Sequence, residues 1–198
     1  MTVRRKSRWL PGALRPQREG TVTLCFTDIE KSSALAQTLG NRRWARLLQW
    51  HDDSIRSIVE HSGGEVVKTL GDGTMIAFEA TQPAAHAAIR IQRAMAARQE
   101  PPLLRLRIGV HIGDVIKTGD DYIGHAVNKA ARIAAAAHAG EIMVSGAFLA
   151  MLSDAPEFHF GDTADIELRG LDGLHRVAPL LHDTAEGSLS VVSGGARS

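Results

Sequence analysis

Apolar and polar positions alternate along the first half of the chain in a way that predicts a strand, a helical segment and a hairpin. The predicted elements are, in order, a strand at 21–27, helical spacing at 32–61, and strands at 65–70 and 74–78. Gly40-Asn41 interrupts the helical spacing, which predicts one helix that ends and a second that begins. The Gly71-Asp72-Gly73 turn between two apolar runs is typical of a hairpin.

Proline and glycine mark the element boundaries in the second half. Pro83 opens an alanine-rich helix that reaches about residue 98, and Pro101-Pro102 follows it. The remaining predicted elements are one or two strands at 103–116, a helix at 124–139, a strand at 141–144, and short edge strands at 158–160, 165–168 and 175–178. The helix at 124–139 is the strongest helical signal, because alanine dominates it and no breaker precedes Gly140.

This order of elements predicts an α+β fold. The first part, β-αα-β-β-α-β, matches the ferredoxin-like βαββαβ arrangement, in which an antiparallel or mixed sheet carries helices on one face. The helix at 124–139 and the strand after it predict an additional α/β layer.

Length and charge predict one domain with loose ends. The 198 residues suffice for one domain, which we place at 20–182, between a basic arm at 1–19 and a polar tail at 183–198. We expect both ends to be disordered. Lys and Arg number 23 and Asp and Glu 22, so the charge as a whole predicts no nucleic-acid or membrane partner, and we favour a solvated arm over such a contact.

The single cysteine and the hydropathy of the chain limit the other possibilities. Cys25 lies in an apolar run and has no partner for an internal disulfide, which favours a buried, inert thiol and a reducing, cytoplasmic location. No segment has the roughly 18 apolar residues of a membrane span, and the basic arm lacks the apolar stretch of a signal peptide. The nine histidines are scattered, and we assign none of them to a metal.

Two aspartates are candidate metal ligands. Asp28 and Asp72 each stand where an apolar strand runs out into a turn. Carboxylate oxygens suit Mg²⁺ or Mn²⁺, which proteins often hold with a couple of carboxylates plus substrate phosphates. Taken alone, either aspartate is also an ordinary turn residue.

The strong helix carries a polar pair. Asn128 and Arg132 are four residues apart and therefore share one face, where an amide and a guanidinium could meet a phosphate. On an arbitrary helix both would be solvated surface residues. Here their neighbours are alanine and valine, and polar side chains on an apolar helix face need hydrogen-bond partners.

Several motifs together resemble the catalytic domain of class III nucleotide cyclases, most closely the bacterial adenylyl cyclases. The match runs from about residue 21 to residue 180. The motifs are, in order, Phe26-Thr27-Asp28-Ile29, the hairpin 65–73, the segments 121–124 and 126–132, and Leu168-Arg169-Gly170. Any one of these motifs is weak evidence, but all of them together, in the order found in the family, are strong evidence.

The resemblance implies the roles of the catalytic groups. Asp28 and Asp72 would hold two divalent ions, Mg²⁺ or Mn²⁺, with the backbone carbonyl of Ile29 as a further ligand. Asn128 would orient the ribose and Arg132 would stabilise charge on the α-phosphate. From the last motif, Arg169 would bind the β- or γ-phosphate.

The resemblance also implies the substrate and the assembly. Lys68 and Asp121 would read the purine, and a donor beside an acceptor suits adenine, so ATP is the expected substrate and cyclic AMP with pyrophosphate the expected products. Metal and base-reading residues would come from different subunits, so we expect a homodimer with two composite sites. One departure from the family pattern is Lys31-Ser32-Ser33, where we expect Lys31 to face solvent rather than phosphate.

Two other functions remain as hypotheses. A catalytically weak nucleotide-binding regulatory module could share the fold, although all seven polar side chains of the motifs are present. A diguanylate cyclase would share the βαββαβ order, but its Gly-Gly-Asp/Glu-Glu-Phe hairpin is absent and the helix with Asn128 and Arg132 has no counterpart there.

Overall fold

A single mixed sheet of eight strands runs through residues 17–182, the part of the chain that the computed structural model describes. The strands are β1 (Gln17–Ile29), β2 (Glu65–Leu70), β3 (Gly73–Phe78), β4 (Leu106–Thr118), β5 (Asp121–Ile123), β6 (Ile142–Ser145), β7 (Ala164–Glu167) and β8 (Leu174–Pro179). The helices are α1 (Ser32–His61), α2 (Thr81–Ala96), α3 (His125–Ala136) and α4 (Gly146–Met151).

The sheet order is β2-β3-β1-β4-β6-β8-β7, with β5 paired to β4. The β4–β6 pair is parallel and all other strand pairs are antiparallel. The predicted mixed sheet is therefore confirmed. The longest ladder joins β1 to β4 from Gln17–Thr118 to Ile29–Leu106, and it forms the centre of the fold.

Most of the predicted elements are present, and three local details differ. Strand β5 was not predicted, because three residues are too few to show alternation. The predicted strand at 158–160 is reduced to one isolated bridge between Phe160 and Leu180. The short helix α4 was not predicted, because six residues are too few to show helical periodicity. Its first turn is capped by Ser145, whose hydroxyl accepts a hydrogen bond from the Phe148 amide at 3.2 Å.

Helices α1 and α2 cover one face of the sheet. They contribute Ile55, Val59 and Ile91 to a large apolar core with Ile76 and Cys25 from the strands. Burial raises the pKa of the Cys25 thiol to about 12, which agrees with the predicted inert cysteine. Along α1 the helix is kinked at the position predicted from sequence.

Helix α3 covers the opposite face and forms the predicted additional layer. Its alanines pack on a second core cluster, which includes Leu24, Met75 and Val115. The approach is close: a Cβ placed on Gly109 of β4 would lie 2.1 Å from the backbone nitrogen of Ala134. Only glycine at this position lets helix and strand meet at this distance.

The ends of the described region bear on the predicted domain boundaries. Residues 17–19, which the sequence assigned to the arm, belong to β1 and pair with residues 116–118 of β4. Residues 1–16 and 183–198, with the rest of the predicted arm and the tail, lie outside the described residues. Within residues 17–182 no helix is both long and apolar enough to cross a bilayer.

Candidate active site

The two candidate metal ligands come to neighbouring positions where β1 ends and β3 begins. Thr27 and Thr74 are register partners, and the Thr74 amide donates to the Thr27 hydroxyl at 3.2 Å. Asp28 is the next residue on β1, and Asp72 lies in the turn just before β3. A Cβ on Gly73 would lie 2.6 Å from the Thr27 carbonyl oxygen, so glycine is needed for the turn to approach β1 this closely.

Arg107 lies opposite Asp28 and was not predicted as a site residue. The two are register partners on β4 and β1, and the Arg107 guanidinium donates to the Asp28 carboxylate. Both side chains are about one-third exposed, at 33% and 32%. The only available sequence signal was the alternation along β4, which does not reveal which neighbouring strand pairs with it.

Lys68 and Asp121 form a direct ion pair although 53 positions separate them. The Lys68 ammonium donates to both carboxylate oxygens of Asp121, at 2.8 and 2.7 Å. The backbone amide of Tyr122 donates to the same carboxylate at 2.8 Å. The bond from Lys68 is the main cause that lowers the pKa of Asp121, so this carboxyl is ionised at neutral pH.

A β-bulge in β2 determines where Lys68 points. The register shifts between Val66 and Lys68, so that Glu65 pairs with Ala77 whereas Lys68 pairs with Met75. Ala77 and Met75 both belong to the core cluster beneath α3. Residues three apart in a regular strand would face opposite sides of the sheet. The extra residue therefore places Glu65 and Lys68 on the same face.

The outer face of α3 presents Asn128 and Arg132 to solvent, as their spacing predicted. Arg169 is exposed in the turn between β7 and β8, directly after the buried Leu168. Among residues 17–182, none of these three side chains has a hydrogen-bond or ion-pair partner. All three are therefore free to contact a ligand or a second subunit.

The polar residues form separate groups within one chain. No hydrogen bond or ion pair in the described region joins the Asp28–Arg107 pair to the Lys68–Asp121 pair. The same part of the chain has no group of three or more His, Cys, Asp or Glu side chains that could hold a metal by itself. Two carboxylates still suit Mg²⁺ or Mn²⁺ when phosphates complete the coordination, so the donors present fit such an ion.

The turn that follows Asp28 has an unusual backbone. Lys31 adopts the left-handed conformation with φ of 54°, and its carbonyl accepts the amide protons of Ala34 and Leu35, both at 3.0 Å. Its side chain is 77% exposed and lies 3.4 Å from the Glu30 carboxylate. The Lys31 side chain therefore extends into solvent from this turn, and its lack of a phosphate contact stays a prediction.

The chain belongs to the adenylate and guanylate cyclase catalytic domain family, because the model of that family matches residues 14–179. The resemblance found in the motifs is thereby confirmed. An uncharacterized protein of Mycobacterium tuberculosis is 32% identical over 152 residues, which cover 77% of this chain and 39% of the relative. An adenylate cyclase of Lachancea kluyveri is 29% identical over 167 residues, covering 71% and 9% respectively. The chain thus spans less than half the length of these relatives.

Solved structures confirm the predicted class III cyclase fold. An adenylate/guanylate cyclase/hydrolase from Silicibacter pomeroyi superposes with a TM-score of 0.75 at 28% identity, over 85% of this chain and all of that one. The adenylyl cyclase CyaB from P. aeruginosa gives a TM-score of 0.74 at 22% identity, over 87% and 100%. At that identity the second similarity concerns the fold alone.

Proposed function

We propose that this member of the cyclase family is an adenylyl cyclase that converts ATP to 3′,5′-cyclic AMP and pyrophosphate. The observation that carries the proposal is the ion pair between Lys68 and Asp121, which offers a hydrogen-bond donor beside an acceptor on one surface. Family membership by itself leaves adenine and guanine equally open, so the substrate depends on this pair.

The hydrogen-bonding capacity of the pair suits adenine. The Lys68 ammonium has three donors and gives two to Asp121, which leaves one for the acceptor N1 of adenine. The Asp121 carboxylate keeps free lone pairs that can accept from the 6-amino group. Guanine has a donor at N1 and an acceptor at O6, so it would face the pair with the wrong polarity. A site that leaves buried polar groups unpaired can reject the wrong base by about 10⁴-fold.

The end of β1 would hold the metal ions and the triphosphate. Asp28 and Asp72, with the Ile29 carbonyl, are the donors for two ions, either Mg²⁺ or Mn²⁺. Such ions, when bound, lower the pKa of the ribose 3′-hydroxyl and offset charge on the phosphates. Arg107 beside Asp28 adds a guanidinium that can donate to a phosphate oxygen.

The exposed residues of α3 and the β7–β8 turn would act on the reacting phosphate and the leaving group. Asn128 would orient the ribose, while Arg132 would donate to the α-phosphate as O3′ attacks its phosphorus and the bond to the β-phosphate oxygen breaks. Arg169 would hold the departing pyrophosphate. These are positional and electrostatic contributions, with no covalent enzyme intermediate.

A symmetric homodimer would unite the two groups of residues. Asp28 and Asp72 of one subunit would face Lys68, Asp121, and the α3 pair of the other, which gives two equivalent sites. In support, Leu70 and Ile123 are 50% and 48% exposed. Each lies two residues from a member of the base-reading pair, as expected if a second copy covers this surface.

The test is to incubate the purified protein with ATP or GTP, with Mg²⁺ or Mn²⁺, and to identify the products by chromatography. We expect cyclic AMP from ATP in clear preference to cyclic GMP from GTP. The double variant Lys68→Glu with Asp121→Ala should lose most ATP turnover, whereas Arg176→Met, which removes an exposed ion pair with Asp165, should not. Preferential use of GTP would overturn the base assignment. Nucleotide binding without any cyclic product would instead favour the regulatory module.

A further inference from the structure

A second polar cluster lies beside the Lys68–Asp121 pair, and we name its members, Glu65, Lys117 and Tyr122, the strand clamp. The Lys117 ammonium donates to the Glu65 carboxylate at 2.8 Å and to the Tyr122 hydroxyl at 3.1 Å. The Tyr122 hydroxyl in turn donates to Glu65 at 3.3 Å. The ammonium also lies 4.8 Å from the centroid of the Tyr122 ring, within the range of a cation–π contact.

The strand clamp joins the same strands as the base-reading pair. Glu65 is on β2, three residues before Lys68, and Tyr122 directly follows Asp121 on β5. Lys117 on β4 is the register partner of Tyr122. The bulge in β2 places Glu65 on the same face as Lys68. The Lys68–Asp121 and Glu65–Tyr122 contacts therefore both connect β2 to β5.

A contribution to stability alone is a poor explanation of the clamp. The Lys117 and Glu65 side chains are 34% and 45% exposed, and ion pairs with this much solvent contact contribute little to folding. Tyr122 differs from them, because it is only 8% exposed and belongs to the core cluster beneath α3. Tyr122 therefore attaches the exposed Glu65–Lys117 ion pair to the buried core of the fold.

We propose that the strand clamp positions Lys68 and Asp121 for purine recognition, so that Glu65, Lys117 and Tyr122 are positioning residues that determine base specificity. The inference rests on the proposed function, since it concerns the residues that we assign to base reading.

The physical need for a clamp follows from the hydrogen bonds of the pair. Lys68 and Asp121 currently bond to each other, and a purine would draw part of that bonding toward itself. With the purine bound, the Lys68–Asp121 pair would therefore hold β2 and β5 together less firmly. Purine recognition, however, depends on the spacing between these two strands. Glu65 and Lys117 do not need to release each other, so their bond can hold β2 in place relative to β4, and β4 pairs directly with β5.

The test compares the affinities of α,β-methylene analogues of ATP and GTP, which cannot release pyrophosphate, by calorimetry. For Lys117→Met we expect the preference for the ATP analogue to fall by about tenfold, because a misplaced polar pair loses part of its discrimination. Tyr122→Phe, which removes only a hydroxyl, should show a smaller fall in the same direction. Lys117→Arg keeps the cation and should restore part of the preference. The matched control Arg176→Met removes an exposed ion pair on β8 and should leave the preference unchanged.

A second measurement separates failure of this inference from failure of the proposed function. The pKa of the Asp121 carboxyl, followed by carbon NMR, should rise in Lys117→Met, because the bond from Lys68 that lowers it would weaken. An unchanged preference together with an unchanged pKa of Asp121 in folded Lys117→Met or Tyr122→Phe would overturn the clamp. A wild-type protein that shows no preference for the ATP analogue would contradict the base assignment, while a raised pKa of Asp121 would still support the positioning role.

Discussion

Arg107 donates to the carboxylate of Asp28 directly across the β1–β4 ladder, so the residue that we assign to metal binding also has a cationic protein partner. A metal ion must compete with this guanidinium for the same carboxylate. We expect Arg107→Met to tighten Mn²⁺ binding in nucleotide-free protein by about twofold to fivefold, the value of a partly exposed ion pair. Titration followed by the electron paramagnetic resonance signal of free Mn²⁺ measures this.

The matched control for that change is Arg105→Met. Arg105 lies two residues earlier, its side chain is exposed, and it has no ion pair among residues 17–182. It should change Mn²⁺ affinity much less than Arg107→Met does. Equal effects of both variants would show that general surface charge, rather than the contact with Asp28, governs metal binding.

Complementation between inactive variants tests the composite site. Asp28→Ala and Asn128→Ala should each abolish most cyclase activity. In an equal mixture with random pairing, half of the dimers would be mixed and each would keep one intact site, so about a quarter of wild-type activity should return. The measurement is the rate of cyclic AMP formation after the variants are mixed and allowed to exchange subunits.

The complementation result has a direct control. Asp28→Ala mixed with Asp72→Ala should stay inactive, since both changes affect the same half of the site and no mixed dimer keeps an intact one. No recovery in the first mixture, despite dimer exchange, would mean that each site lies within one chain. Recovery in the control mixture would mean that Asp28 and Asp72 of one subunit serve different sites.

The close contact between β4 and α3 predicts a strong effect of a single methyl group. A Cβ at Gly109 would lie 2.1 Å from the Ala134 nitrogen, which is backbone and cannot turn away. Gly109→Ala should therefore lower the free energy of unfolding by about 1–3 kcal/mol or more. Gly20→Ala is the control, because nothing lies within 4 Å of the added Cβ, and it should change stability by less than about 1 kcal/mol. Urea denaturation of both variants compares them, and similar stabilities would contradict the packing argument.

The lowered pKa of His111 predicts how the stability of the protein depends on pH. Its ring is 7% exposed and lies 2.8 Å from the Ser145 hydroxyl, and burial, with the positive charges of Lys129 and His175, lowers its pKa from 6.5 to about 4. Between these values the unfolded chain binds a proton that the native protein does not. The free energy of unfolding should therefore fall as the pH is lowered from about 6.5 to about 4.

The variant that isolates this effect is His111→Gln, which cannot take up the proton. Its melting temperature should change less between pH 7 and pH 4.5 than that of the wild type. His159→Gln, at an exposed histidine, should retain the wild-type slope. If His111→Gln keeps the full wild-type slope, another group is responsible.

The candidate site was predicted unevenly from sequence. Asn128 and Arg132 share a helical face because their spacing requires it, and Asp72 lies in a turn because Gly71 and Gly73 flank it. Arg107 was missed, since its role depends on a strand partner 79 positions away. The strand clamp was missed for the same reason.

Local pattern by itself determined the order of the elements other than β5 and α4, the kink in α1, the mixed α+β fold and, through the motifs, the cyclase family. These features depend on side chains a few positions apart, where periodicity and turn chemistry act directly. Tertiary structure alone decided that Glu65 and Lys68 share a face, because the bulge in β2 breaks the alternation on which strand reading depends. It also decided which charges meet across the sheet, since register between distant strands is selected by the packing of the whole core.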